Sequence, residues 1–162
     1  MSAHPLEILQ HMEQDVLSAD MSLPQEVIVA EQWVGLSYRV GELQLVTAMD
    51  QISEVVPSAP FAMVPRTQSW LRGIANVRGR LLSVIDLQDF LGMGPVNADQ
   101  YSRLIVINND QLSCCLLVGR LQGLRHFDPE VNICETGEMN QKWAGYIAGA
   151  LGRDQQKWLV FD

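Results

Sequence analysis

Hydrophobic positions along this chain change period more than once. Leu6, Leu9, Met12 and Val16 recur at three- and four-residue spacing, which places them on one face of a helix. Pro5 suits the first turn of that helix, where its missing N–H is not needed. Residues 18–25, with Pro24, read as a linker. Such a helix either packs on its own domain or docks to a partner. From Trp33 the period becomes two. Val34, Leu36, Tyr38 and Val40 alternate with Gly35, Ser37 and Arg39, the pattern of a half-buried strand. Gly41-Glu42 turns the chain, Leu43 to Ala48 returns as a second strand, and Ile52 to Val56 forms a third. Pro57, Pro60 and Pro65 break regular structure into an extended loop, and Trp70 to Arg72 reads as a short helical turn before Gly73.

The pattern then predicts a hairpin. Ile74 to Val77 forms one strand, Arg78-Gly79 the turn, and Arg80 to Asp86 the return strand. Gly79 reaches positive φ at low cost, as a tight turn requires. The return strand is apolar on both faces, which marks it as central. Leu87 to Leu91 reads as a short helix stopped by Gly92 and Gly94. Arg103 to Asn108 and Leu112 to Val118 pair across an Asn109-Asp110 turn, and Leu121 to Phe127 extends that meander. Pro129 opens a loop that runs to Asn140. Tyr146 to Leu151 and Lys157 to Phe161 close the chain as a hairpin turned by Gly152-Arg153-Asp154. Many short strands with frequent turns predict an all-β barrel or sandwich, in two β clusters before and after the Gly92–Asp99 loop.

Composition narrows what such a domain does. The 162 residues are 48% hydrophobic and 19% charged, enough apolar content for one packed domain or two small lobes sharing a core. Eleven Lys+Arg stand against 19 Asp+Glu, a formal charge of −8. That balance opposes tracking of nucleic-acid phosphates and electrostatic binding to an anionic membrane. It also makes each cation a candidate contact residue. No run of about 18 apolar residues predicts a membrane span, and the N-terminus does not read as a secretory signal. Cys114, Cys115 and Cys134 are an odd set, two of them adjacent in an apolar run, which suits free thiols in a reducing cytosol.

Catalytic patterns are weak. There is no Gly-x-Ser-x-Gly elbow, no Cys-x-x-Cys pair and no phosphate loop. His126 with Cys134 is the one base–nucleophile combination to weigh, in a small hydrolase, and the bland reading is a loop histidine and a half-buried thiol. Asp86 and Asp89 stand where a strand meets a helix, where an aspartate commonly caps backbone N–H groups. The four tryptophans are spread along the chain, as core and rim packing would have them. Arg78, at a hairpin tip, is either a solvated turn residue or a forked donor for a partner's carboxylate or carbonyl.

The run Gly73-Ile74-Ala75-Asn76-Val77-Arg78-Gly79-Arg80-Leu81-Leu82-Ser83-Val84-Ile85-Asp86-Leu87 resembles the signature of CheW-like domains. Tyr146-Ile147-Ala148-Gly149 and Leu159-Val160-Phe161-Asp162 resemble that family's last hairpin, and Ile52-Ser53-Glu54-Val55-Val56 its strand before the proline loop. The acidic, helix-extended form resembles the PilI branch, which serves chemosensory systems controlling type IV pili and twitching motility.

The resemblance implies a fold of two SH3-like five-stranded barrels sharing a hydrophobic core, with an N-terminal helical extension: residues 1–26 as helix and linker, 27–162 as the CheW-like domain. It implies a cytoplasmic, non-catalytic adaptor without cofactor or metal, recruited to membrane-associated arrays. There it couples the cytoplasmic tip of a methyl-accepting chemoreceptor to a CheA-type histidine kinase. A stand-alone regulator of the same fold, binding a different signalling protein, is the alternative. Carried onto this chain, Gly73 and Asp86 are implied to be structural. Arg78, Gly79, Glu54, Val56 and Asn76 are implied to meet partners, with Arg78, Glu54 and Val56 in the groove between barrels. Family members continue past the aspartate matched by Asp162 into a short C-terminal helix, and the Leu6–Leu17 helix is expected to take its place on the core. Gly119-Arg120 departs from an acidic residue common there.

Overall fold

A computed structural model describes residues 33–162 except 110, 111, 129–131, 137–140 and 154. The expected Leu6–Leu17 helix, its linker and the 26/27 boundary lie outside the described residues. So do Asp110, Pro129 and Asp154 of the expected turns and loop.

The described chain is mostly β. Its strands are β1 (Trp33–Val40), β2 (Leu43–Ala48), β3 (Ile52–Pro57), β4 (Phe61–Ala62), β5 (Leu71–Val77) and β6 (Arg80–Asp86), then β7 (Arg103–Ile107), β8 (Cys114–Val118), β9 (Arg120–Phe127), β10 (Ile133–Cys134), β11 (Ile147–Arg153) and β12 (Gln156–Phe161). Two one-turn α-helices, α1 (Leu87–Phe90) and α2 (Gln141–Ala144), and a 3-10 turn at Met49–Gln51 interrupt them. One sheet runs β10-β11-β12-β2-β1-β9 and the other β3-β7-β8-β6-β5-β4. Each therefore has six strands, where five were expected, because β4 and β10 add two-residue pairings at the edges.

The strands do not sort into clusters before and after the Gly92–Asp99 loop. The second sheet spans that loop, because β6 pairs parallel with β8 from Ser83↔Cys114 to Asp86↔Leu117. The first sheet joins the two ends of the domain through the parallel pairing of β12 with β2, Leu159↔Leu45 and Val160↔Val46. Alternation along a strand reports which face is buried and not which strand lies beside it. For the same reason β9 does not extend the β7–β8 meander. The chain crosses from one sheet to the other at Gly119, and β9 pairs with β1. The expected helical turn at Trp70–Arg72 is also absent. Leu71 and Arg72 belong to β5, and a bulge between Leu71 and Gly73 interrupts the alternation there.

The second sheet curls on itself. β3 and β4 stand at its opposite ends, yet only Ser58, Ala59 and Pro60 separate them. Such a link reaches about 14 Å at most, whereas the ends of a flat six-stranded sheet lie about 24 Å apart. The inner face holds Ala75, Val77, Leu82, Val84, Leu104, Val106, Cys115 and Leu117. The alternate residues, Ile105, Leu116 and Val118, face the other sheet and share a core with Leu36, Tyr38, Val40, Leu45 and Leu159. The first sheet has its own cluster on the far side, Val46, Phe127, Leu151 and Trp158. Burial on both faces explains why β7 and β8 read as unbroken apolar runs. β6 lies between β8 and β5 as expected, but Leu81 on its outer face is 69% exposed.

Burial gives the core a pH limit. The Cys115 thiol is fully enclosed and pushed up to about 12, chiefly by desolvation and then by its neighbour Cys114. The Tyr38 phenol, hydrogen-bonded to Thr47 Oγ1 at 2.8 Å, is likewise raised by burial. An acid whose folded pKa is raised holds its proton in the native state while the unfolded chain releases it. Stability contributed by Cys115 is thus present below about pH 8.5 and lost as pH rises toward about 12. Urea midpoints should fall through this window in the wild type and fall less in Cys115→Ala, each against its own neutral value.

Candidate protein-interaction face

The β5–β6 hairpin turns in two residues, with Val77 paired to Arg80. Arg78 has φ 49° and Gly79 φ 84°, the two positive values a type I′ loop demands. A Cβ on Gly79 would meet nothing within 4 Å, so backbone conformation and not space calls for glycine. Asn76 Oδ1 accepts a hydrogen bond from the Gly79 N–H at 2.8 Å. Asn76 is therefore the turn's acceptor, where the sequence reading has it meeting a partner. Arginine is rarely tolerated at positive φ, at a cost of about 1 kcal/mol or more. Here the fold holds it at the tip with 77% of its side chain exposed.

Arg78 Nε stands 3.0 Å from Glu54 Oε2. That oxygen is shielded from solvent and the approach lacks hydrogen-bond alignment, so the contact is Coulombic. Val56, two residues along β3, packs half-buried on the inner core of the second sheet with Ala59 and Phe61. The curl thus brings Arg78 to Glu54 at one rim, while Val56 turns onto the core beneath. The two residues expected to be structural have structural surroundings. A Cβ on Gly73, at φ 148°, would fall 2.1 Å from the Ala62 carbonyl oxygen. Asp86 is fully buried, caps α1 through the Asp89 N–H, accepts from the Val96 N–H at 2.9 Å and pairs with Arg72 Nη1 at 3.1 Å.

The groove lies elsewhere. A cavity of about 330 Å³ opens between the sheets, lined by Ile85, Ile107, Cys114 and Leu116 from one and Thr47 and Phe161 from the other, with Phe90, Tyr146 and, from the β7–β8 loop, Leu112. None of Arg78, Glu54, Val56 or Asn76 lines it. Placing them there follows from the resemblance, and the curl of the second sheet moves their rim away from the inter-sheet seam. Rings bridge the seam in series: Trp70 to Phe90 at 5.3 Å, Phe90 to Tyr146 at 5.1 Å, and Tyr146 to Phe161 at 6.5 Å. Apolar surface continues outward from the mouth. Leu112 is 55% exposed, and the outer face of the hairpin adds Leu81 and Ile74, with Ser83 in register beside both Ile74 and Cys114. The outward positions of β6 and β8 include apolar Leu81, Ile85, Cys114 and Leu116, with Ser83 the polar exception.

The groove's thiol, Cys114, is raised by burial, and none of the described residues lining the cavity is a histidine. Among the described residues no His, Cys, Asp and Glu group is placed to hold a metal ion. No described helix is long and apolar enough to cross a membrane.

The family model of the CheW-like domain matches residues 34–162. The chain belongs to the CheW-like family. Protein PilI of Pseudomonas aeruginosa is 28% identical over 157 residues, covering 97% of this chain and 88% of PilI. Chemotaxis protein CheW of Thermotoga maritima is 27% identical over 89 residues, 55% of this chain and 58% of that protein. Protein FrzA of Myxococcus xanthus is 35% identical over 69 residues, 43% of each. The crystal structure of scaffolding protein TtCheW from Thermoanaerobacter tengcongensis superposes with a TM-score of 0.72 at 20% identity, covering 81% of this chain and 89% of that one. That likeness shows a CheW fold, and the long PilI match agrees with the branch expected from the sequence.

Proposed function

We propose that this CheW-like chain is a non-catalytic adaptor that joins a chemoreceptor's cytoplasmic tip to a CheA-type histidine kinase in a cytoplasmic array. By its likeness to PilI, the array serves type IV pili and twitching motility. In this reading each of the two sheets forms an SH3-like barrel, residues 27–162 are the adaptor domain, and 1–26 are its helical extension. The supporting observation is the apolar seam between the sheets, with exposed Leu112 at its mouth and exposed Ile74 and Leu81 on the neighbouring hairpin that Arg78 terminates. Exposed aliphatic residues around a preformed apolar groove suit burial against an amphipathic helix. An arginine held ready at the rim suits a carboxylate or carbonyl beside it.

The test is a pull-down of kinase and receptor tip on immobilised wild type and Arg78→Ala. Wild type should retain both, and Arg78→Ala should weaken at least one about tenfold, the size expected for one charged hydrogen-bonded contact. Its melting temperature should barely move, because the Glu54 pair is largely exposed on the arginine side. Wild type that retains a different signalling protein and neither of these favours the stand-alone regulator.

A further inference from the structure

We propose that a second docking surface, for an acidic polypeptide segment, is formed by Arg39, Arg103 and Arg120. It rests on the adaptor reading in one respect: a coupler needs two faces that do not overlap. Two clefts of about 410 and 240 Å³ share Arg120. Tyr101, Arg103 and Leu121 complete the first, and Arg39, Gly41, Gln88 and Gly119 the second. None of these residues lines the apolar seam.

The three guanidinium groups are held in place largely by neutral groups. Arg39 Nε donates to the Gly41 carbonyl at 2.9 Å, and Arg103 Nη1 donates to the Gln100 and Ser102 carbonyls at 2.9 Å each. Arg120 lies over the Tyr101 ring at 5.4 Å. Each guanidinium has five N–H donors, so donors remain on each for an incoming acceptor. Two local carboxylates offset part of the charge. Glu42 pairs with Arg39 at 3.2 Å, on a side chain 93% exposed. Asp99 faces Arg120 but spends Oδ1 on the Tyr101 and Ser102 amides. Arg39 and Arg120 also sit directly opposite in the β1–β9 register, an arrangement of like charges that destabilises a sheet unless anions approach it.

The occupant follows from charge. A chain with 11 cations and 19 anions repels a nucleic-acid backbone, yet it sets Arg103 and Arg120 beside exposed Tyr101 and Arg39 in the adjoining cleft that shares Arg120. Such a surface attracts a short carboxylate-rich stretch that also carries an apolar or aromatic residue for Tyr101 and Leu121. Pre-fixed guanidinium forks match carboxylates two oxygens at a time.

The test titrates the full chain with a fluorescein-labelled peptide of repeated Glu-Glu-Leu-Tyr and with its Gln-Gln-Leu-Tyr analogue. The acidic peptide should bind, and weaken severalfold or more when ionic strength rises from about 50 to 200 mM. Arg103→Glu/Arg120→Glu should lose at least tenfold in affinity, and the glutamine analogue should bind no better than that variant. Arg66→Glu, an exposed arginine outside both clefts, serves as the charge control and should bind as wild type. If the double reversal unfolds on heating ahead of wild type, Arg103→Gln/Arg120→Gln carries the same comparison. No binding by wild type, or equal loss in Arg66→Glu, overturns the proposal. So does a wild-type dimer that the double reversal dissociates, since a second copy would then be the occupant. In the kinase and receptor pull-downs the double reversal should lose one partner and keep the other. Retention of both overturns the docking surface and leaves the adaptor reading standing. Wild type that retains neither partner fails that reading, while the peptide titration still decides the surface.

Discussion

Asp86→Ala is expected to remove about 3–5 kcal/mol of folding stability, the range for breaking one member of a buried ion pair. Three separate groups lose their partner in that one change. Arg72 Nη1 loses its carboxylate at 3.1 Å, the Val96 N–H its acceptor at 2.9 Å, and the Asp89 N–H its helix cap. Val96 belongs to the inner core of the second sheet, so its freed N–H cannot be rehydrated without opening that core. Arg72 is better placed, since part of its side chain reaches solvent and its guanidinium also lies 6.0 Å from the Phe61 ring. The cost should therefore fall mainly on the two amides. Asp86→Asn keeps one acceptor oxygen, gives up the charge and turns the other oxygen into an N–H donor, so it should recover only part of the loss. Urea denaturation of the three proteins checks the order, wild type above Asn above Ala.

Gly73→Ala should cost about 2–4 kcal/mol, through a mechanism that a melting curve alone would hide. The added Cβ would sit 2.1 Å from the Ala62 carbonyl oxygen, and φ 148° is unfavourable for any L side chain. The clash is with backbone, so no rotamer change relieves it. What can yield is β4, which holds only the Phe61↔Ala75 and Ala62↔Ile74 pairings. The variant should relieve strain by shedding that two-residue edge. Amide exchange should quicken at residues 61–63 far more than in β7 and β8. Uniform acceleration across both sheets would show that β4 is needed for the sheet to close.

The two predictions rest on residues that differ in how well the sequence announced them. Asp86 was legible, because an aspartate between an apolar strand and a short helix has one common use, and the structure adds only that Arg72 and Val96 share it. Gly73 was legible as a signature position, but the oxygen that forbids a side chain comes from β4, a strand too short to leave a pattern of its own. The sheet order was not legible. Val46 and Val160 are neighbours through a parallel pairing between opposite ends of the domain, and period-two alternation holds no record of such a partner. The interaction face falls between these cases. Arg78 reads as a cation at a turn. The groove that the resemblance gives it is lined instead by residues such as Ile107, Leu116 and Phe161, which read from sequence as ordinary core. Nothing local distinguishes an apolar side chain that faces a closed core from one that faces a groove. Only the curl of the second sheet decides it.

In the proposed adaptor the apolar seam is the docking surface for one of the two partners. Leu112→Asp tests it most directly, since Leu112 lines the seam while remaining 55% exposed, so the change leaves the fold intact. The measurement is isothermal titration of wild type and Leu112→Asp with a receptor's cytoplasmic tip, and with a CheA-type kinase. The account predicts that wild type binds both and that Leu112→Asp loses at least tenfold in affinity for one of them with an unchanged melting temperature. Undiminished binding of both partners by Leu112→Asp would contradict it.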